Sequence, residues 1–480
     1  MADSLPHRAS APNRREFLAR AGAGCGALAW AALEGSRAAR GDTPASPRRL
    51  LAPREPHFPA KVKRLIWLFA DGGASHLDLF DYKPELTKLA GKPLPAHFKR
   101  PRTTMGSTAH TPLLATKRKF ARYGQSGAWM SDWLPYLQKQ ADDLTILAAC
   151  RGEGSTHVGG CLQMNTGALI GGRPSLGAWS LYGLGCETEE LPGFVVLTDN
   201  GYEPPGGSQQ WGTGFMPAAY QGTRLLSGKT PIVHLAPALE RSERRQKESL
   251  DFIQQLNRGY AGARPDDDQL EARIAAYELA FRMQGAAPEA VDLAGETAET
   301  HRLYGLDQET TAQAARSCLL ARRLVERGVR CVQVYLGTGS GWDAHTDIES
   351  NHSKLCAATD QPVAALLADL KRRGLLEETL VVWAGEFGRT PMSESGHGRD
   401  HNPFGFTIWL AGAGLKSGIT YGATDEIGLY AVEGKVHVHD LHATLLHLLG
   451  LNHETLTYFH NGRDERLTIT EGRLVKEILS

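Results

Sequence analysis

Along most of this 480-residue chain the apolar residues come in short continuous runs, each ending in a polar or glycine-rich turn. VKRLIWLFADGG (62–73), LTILAAC (144–150), FVVLTD (194–199), RCVQVYLG (330–337) and TLVVWAGE (379–386) all have this form. A short run apolar on both faces predicts a strand covered on both sides, as in a parallel sheet. Between the runs lie DQLEARIAAYELAFRMQ (268–284), TAQAARSCLLARRLVERG (311–328) and TDQPVAALLADLKRRG (359–374), which have helical spacing. The last two close on the glycine that often follows a final helical turn. VHVHDLHATLLHLLGL (436–451) repeats the helical pattern. The alternation predicts an α/β domain over 61–480, with a central, mostly parallel sheet flanked by helices on both faces. Residues 200–300 read as an elaboration on it, opening with a Gly- and Pro-rich surface loop at 201–214.

The N-terminus follows another pattern. Arg14 and Arg15 precede the apolar stretch AGAGCGALAWAAL (21–33) and a small-residue segment at 35–39. This order predicts a bacterial twin-arginine export signal over 1–40, then a Pro- and Arg-rich linker over 41–60. The twin-arginine export machinery is the expected partner, and the periplasm or cell envelope the expected location. The apolar stretch is too short to cross a bilayer and no other run approaches ~18 residues, so no membrane span is expected in the mature chain.

Charge and cysteine content narrow the field. The 53 basic and 53 acidic side chains cancel, leaving no global field toward polyanions, so nucleic acid is not an expected partner. Cys150, Cys161, Cys186, Cys318, Cys331 and Cys356 are scattered without a CxxC spacing, which predicts buried free thiols rather than a zinc ribbon or a disulfide framework.

Ligands of an open parallel sheet gather beyond the carboxyl ends of its strands, so polar residues just after apolar runs are the candidates for chemistry. Asp71 follows IWLFA, with Asp78 behind it in SHLDLFD; either carboxylate suits a metal, although Asp71 at this place also suits a turn. Ser155, Thr156 and His157 follow LTILAAC, where a hydroxyl either caps a helix or serves as a nucleophile. Asp343 and His345 follow RCVQVYLG as a D-x-H pair in an extended segment, which places both side chains on one face, and His352 comes seven residues later. Glu386 ends TLVVWAG, and His401 returns on a loop with Arg389 and Arg399 between them. A carboxylate with an imidazole suits zinc or manganese, and an arginine fork suits the oxygens of a phosphate or sulfate ester.

In chain order these groups resemble the metal site of the alkaline phosphatase and sulfatase superfamily. The blocks GGASHLDLFDYKPEL, YELAFRMQ, LLARRLVERGVR, GLLEETLVVWAGEFGRTP, GRDHNPFGF and VHDLHATLLHLLGL resemble more closely the exported bacterial family called domain of unknown function 1501. The resemblance covers nearly all of the chain after residue 60. It implies a hydrolase of small-molecule or polysaccharide phosphate or sulfate esters that uses one or two divalent ions, zinc or manganese. Asp343, His345 and His401 would then be ligands, with Glu386 at the second acidic position and Asp71 or Asp78 as the early acid. The nucleophile position falls on His157 rather than Ser155 or Thr156 when counted back from Asn165-Thr166-Gly167, which leaves water activated by the metal as the attacking group. Arg389 or Arg399 would neutralise developing charge. His439 and Asp440 would support the site from behind, while His447 is expected in the core. Phe387 stands where the superfamily usually has a further ligand. That departure favours the alternative, a non-catalytic envelope or polysaccharide-binding protein on the same fold.

Overall fold

The computed structural model describes residues 50–103, 106–199, 202–228, 231–232, 243–262, 268–337 and 340–480. The expected twin-arginine signal and the first part of the linker, residues 41–49, lie outside the described residues.

Every apolar run becomes a strand. They are β1 (Arg64–Phe69), β2 (Thr145–Arg151), β3 (Phe194–Thr198), β5 (Cys331–Tyr335) and β6 (Thr379–Ala384). The short strands β4 (Thr223–Leu226), β10 (Ile419–Tyr421) and β11 (Val436–His437) join them, together with β9 (Phe406–Ala411). A separate antiparallel hairpin is made by β7 (Gly388–Glu394) and β8 (Gly398–Asn402). The main sheet runs β10-β2-β9-β6-β1-β5-β3-β4, with β11 beside the end of β2. Strand β1 lies at its centre, Leu65 opposite Cys331 on one side and Leu380 on the other, both pairings parallel. Only β9 runs against its neighbours, β2 and β6, among the described strands of this sheet.

The helices are α1 (His157–Thr166), α2 (Leu176–Leu184), α3 (Glu243–Gly262), α4 (Asp268–Val291), α5 (Ala312–Glu326), α6 (Ile348–Arg372) and α7 (Val438–Leu448). Successive residues of a strand point to opposite faces, and β1 shows the result. Ile66 and Leu68 pack into a core with α5 and α6, whereas Leu65, Trp67 and Phe69 pack into a second core with α2 and α7. Both faces of the sheet are therefore apolar, which is why the runs are continuous. Cys150, Cys161, Cys186, Cys318, Cys331 and Cys356 are buried free thiols. Among the described residues no helix is long and apolar enough to cross a membrane.

Two expectations need correction. Helix α6 begins at Ile348, well before 359, because the Asp347 side chain caps it by accepting from Ser350 N at 3.1 Å, and Pro362 is accommodated inside it. His352 therefore sits on a helix; it is buried, and its Nε2 accepts from Ser75 N at 2.9 Å. The stretch at 201–214 is not purely a surface loop, since Gln210 and Trp211 are buried. The Gln210 side-chain Oε1 accepts from Asn165 Nδ2 at 2.9 Å and from the Tyr335 hydroxyl at 2.8 Å.

Candidate metal centre

The carboxyl ends of β1, β2, β5 and β6 open toward one region. Chain leaving β1 turns at Asp71-Gly72-Gly73, and chain leaving β2 enters α1, where the Thr156 side chain caps the helix by accepting from Gly159 N at 3.4 Å. Chain leaving β5 delivers Asp343 and His345, and chain leaving β6 delivers Glu386 before entering the β7–β8 hairpin. The hairpin docks on the D-x-H segment, Arg399 N donating to the Ala344 carbonyl at 3.0 Å. Gly398 makes this approach possible, since a Cβ there would lie 2.0 Å from the His345 carbonyl carbon.

Four side chains converge: His157, Asp343, His345 and His401 each offer a ligand atom, all within 4.8 Å of one another. Asp343 is the hub. Its Oδ1 lies 2.8 Å from His345 Nε2, 3.4 Å from His401 Nε2 and 2.6 Å from the Arg389 guanidinium. Its Oδ2 lies 3.1 Å from His157 Nε2. That nitrogen is buried and lacks a properly directed hydrogen bond.

All three rings are held by their other nitrogen. His401 Nδ1 donates to the Ser155 carbonyl at 2.7 Å, which leaves the Nε2 lone pair facing Asp343. His157 Nδ1 is 2.7 Å from Glu386 Oε1, and His345 Nδ1 bonds the Glu394 carboxylate. Oxygen acceptors behind imidazoles fix the ring orientation and raise ligand basicity, an arrangement common in metal sites. His345 Nε2 and His401 Nε2 approach to 3.1 Å, a spacing suited to two ligands of one ion.

The electrostatics reflect this crowding. Burial alone would raise the Asp343 carboxyl, but the close approach of the His157, His345 and His401 imidazoles and the Arg389 charge hold it far below the usual carboxylate range. Burial opposes a proton on His157, yet Asp343 and Glu386 outweigh it and push the imidazole up to about 9. His401 is held below its ordinary value, chiefly by burial, and so is neutral with a lone pair available. His345 is raised by its bond to Asp343. Burial lifts Asp71 to about 7, with the Tyr202 bond opposing and the Glu386 charge assisting.

The remaining expected site residues take other places. Glu386 is not among the converging ligand atoms: its carboxylate is taken up by His157 Nδ1 and by Gly72 N, at 2.9 and 3.1 Å, so it stands behind His157. Asp71 bonds the Tyr202 hydroxyl through Oδ2 and keeps Oδ1 buried without a partner. Asp78 is fully buried in an ion pair with Arg399, at 2.9 Å, and belongs to the support of the hairpin rather than to the cluster. Neither arginine is placed as the expected ester clamp. Arg399 is spent on Asp78 and the Thr390 carbonyl, and the fully buried Arg389 on the carbonyls of Gly72, Gly73 and Arg399 and on Asp343. Thr156 faces solvent as a cap and Ser155 contributes its carbonyl, so it is His157, the first residue of α1, that reaches the cluster. His439 and Asp440 do not back this centre either, because His439 bonds the Gly167 carbonyl and Asp440 caps α7. His447 is half-buried against Phe58, not in the core proper. Phe387 packs under the centre, its ring stacked on His401 at a centroid distance of 4.3 Å.

Sequence reasoning missed Glu394 and Tyr202. Glu394 lies in the stretch MSESG, and only the hairpin register, with Glu394 opposite Gly398 and Arg389 opposite His401, brings it to His345. Tyr202 had no signal beyond a tyrosine beside a Gly-rich turn. The residues fit a divalent cation: three imidazole nitrogens and a carboxylate converge, and one of those nitrogens is buried without a hydrogen bond.

The profile of the family described as "Protein of unknown function (DUF1501)" matches residues 62–479. The chain belongs to this family. Among curated proteins none matches this DUF1501 chain. Similar solved structures include the PsFucS1 sulfatase from Pseudoalteromonas sp., at 11% identity and TM-score 0.35, covering 85% of this chain and 72% of that one. The alkaline phosphatase from the Antarctic bacterium TAB5 is similar at 10% identity and TM-score 0.36, covering 82% and 99%. The lipoteichoic acid synthase LtaP from Listeria monocytogenes follows at 9% identity and TM-score 0.35, covering 82% and 74%. Likeness this distant does not bear on what the DUF1501 chain acts on.

Proposed function

We propose that this DUF1501 protein is an exported, metal-dependent hydrolase of phosphate or sulfate esters. The observation that carries the reading is the convergence of His157, His345 and His401 on Asp343, each ring braced from behind by an oxygen acceptor. His157, Asp343, His345 and His401 would hold a zinc or manganese ion. When bound, the ion supplies Lewis acidity for polarising an ester oxygen and activating water. The protein's own part is to hold three imidazoles in their ligating orientation and to keep the Asp343 carboxylate ionised. Asp71, whose pKa near 7 suits proton exchange, would take up or release a proton beside Glu386.

The test has two arms. Purified protein should carry a transition metal at this centre, and Asp343→Ala with His345→Ala should lose that ion; unchanged metal content in that variant sinks the reading. The metal-loaded protein should then hydrolyse at least one of an aryl phosphate, a phosphodiester or an aryl sulfate. A second reading, a binding protein for sulfated or phosphorylated polysaccharide, is favoured by the full engagement of Arg389 and Arg399 and by Phe387 stacked on His401. Metal retained with no turnover on any of the three ester classes would select it. Export is testable separately: Arg14→Lys with Arg15→Lys should leave the protein in the cytoplasm if the twin-arginine route carries it.

A further inference from the structure

Beside Glu153 and Gly167, which flank α1, a second group of ligating atoms meets: His437, His439 and Glu471. Both histidine side chains are at least nine-tenths buried, whereas Glu471 is 65% exposed. The hydrogen bonds assign the tautomers. His437 Nε2 lies 2.8 Å from the Glu153 carboxylate and His439 Nε2 lies 2.7 Å from the Gly167 carbonyl, so both Nε2 atoms donate and both Nδ1 atoms carry lone pairs. The His437 Nδ1 lone pair accepts from His439 N at 3.2 Å as the cap of α7, a long bond that a cation would have to displace. His439 Nδ1 is buried and has no hydrogen-bond partner. A single carboxylate oxygen, Glu471 Oε2, stands 3.8 Å from the first Nδ1 and 3.7 Å from the second. Ligands of one tetrahedral zinc lie roughly 3.4 Å apart, so the exposed Glu471 oxygen is within a few tenths of an ångström of ligand spacing from each Nδ1, and all three atoms already lie within 4.8 Å of one another.

We propose that His437 Nδ1, His439 Nδ1 and Glu471 Oε2 bind a second divalent cation of the zinc class. The groups bracing both rings identify what the ion would hold. Glu153 lies in the loop that carries Ser155 and His157, where Gln163 Oε1 accepts from the backbone of Glu153 and Gly154, each at 3.0 Å. Gly167 ends the helix that His157 begins. Glu471 belongs to the C-terminal segment, whose Gly472 passes so close that a Cβ would meet the His439 carbonyl at 3.0 Å. The ion therefore ties the C-terminal segment to α7 and, through Glu153 and Gly167, steadies both ends of α1. It is a structural site, and it stands whether or not the first centre is catalytic.

The experiment uses the full chain, stripped with chelator and titrated with zinc, with bound metal and melting temperature read together. Wild type should take up about two zinc ions per chain, and Glu471→Gln should bind one of them at least about tenfold more weakly. Glu471 is exposed and the substitution keeps its shape, so folding is not at issue; His439→Ala should give the same loss. His345→Ala should lose the other ion and keep this one, together with its increment in melting temperature. Equal zinc uptake and an equal melting shift in wild type and Glu471→Gln would overturn the proposal. A site lost in Glu471→Gln but kept in His345→Ala would uphold it even if the first centre proved empty.

Discussion

In the proposed centre, His157 is the residue at which metal and proton would compete. Its pKa, near 9 against an ordinary 6.5, means that protonation stabilises the metal-free fold fully below the ordinary value, and that this contribution is lost as the pH rises through about 9. A cation must displace that proton, so apparent zinc affinity should climb with pH across this interval. Competition titrations at several pH values would read it, and a flat profile would exclude His157 as a ligand. Asp71 has the opposite sign. Its pKa near 7, raised from 3.8 mainly by burial, makes the ionised carboxylate destabilising, an effect that begins above 3.8 and is complete above about 7. Asp71→Asn should therefore stabilise the metal-free protein above pH 7 by roughly 2–4 kcal/mol and leave it unchanged near pH 4, as urea denaturation at the two pH values would show. Asp343, His345 and His401 were legible because each follows a strand end or the turn beyond one. Glu394 and Tyr202 were not, because a bracing group is recognised by the partner it meets and not by its own neighbours in sequence.

At the scale of elements, the β7–β8 hairpin carries most of the site's support. It supplies Arg389, Glu394, Arg399 and His401, and it seats through Gly398 on the His345 backbone. Gly398→Ala would place a Cβ 2.0 Å from the His345 carbonyl carbon, where only backbone movement relieves the clash. A loss of about 1–3 kcal/mol is expected, with metal affinity falling in parallel, measurable by denaturation and zinc titration. Beneath the hairpin, Asp78 and Arg399 form an ion pair with both side chains wholly buried. Arg399→Ala strands the carboxylate and should cost about 3–5 kcal/mol in thermal or chemical unfolding. The sequence suggested a loop here because Gly396 and Gly398 and the Asn402-Pro403 turn punctuate a polar stretch. Every residue of both strands is buried, polar and apolar alike, and a buried polar strand gives no hydrophobic period to read. Helix α6 was shortened for a related reason, since its first turns hold Glu349, Asn351, His352 and Ser353 rather than an apolar face.

At the scale of the whole molecule, the α/β architecture was legible because each core strand is apolar on both faces. The strand order was not, because pairing between distant segments leaves no local trace. The buried free thiols make a further expectation: thiol reagents should label the described cysteines only on unfolding, and reductant should leave the melting temperature unchanged. Strand β1 has the widest consequence. It is among the first strands of the described chain, yet its partners β5 and β6 begin at Cys331 and Thr379. The centre of the sheet therefore cannot close until most of the chain exists, and folding should be slow and late rather than progressive along the chain. A fragment ending before Thr379 should show no cooperative unfolding transition. Ordered in time, the central sheet and the candidate metal pocket are products of the same final step, so a chain that presents the converged His157, Asp343, His345 and His401 is one that has finished folding.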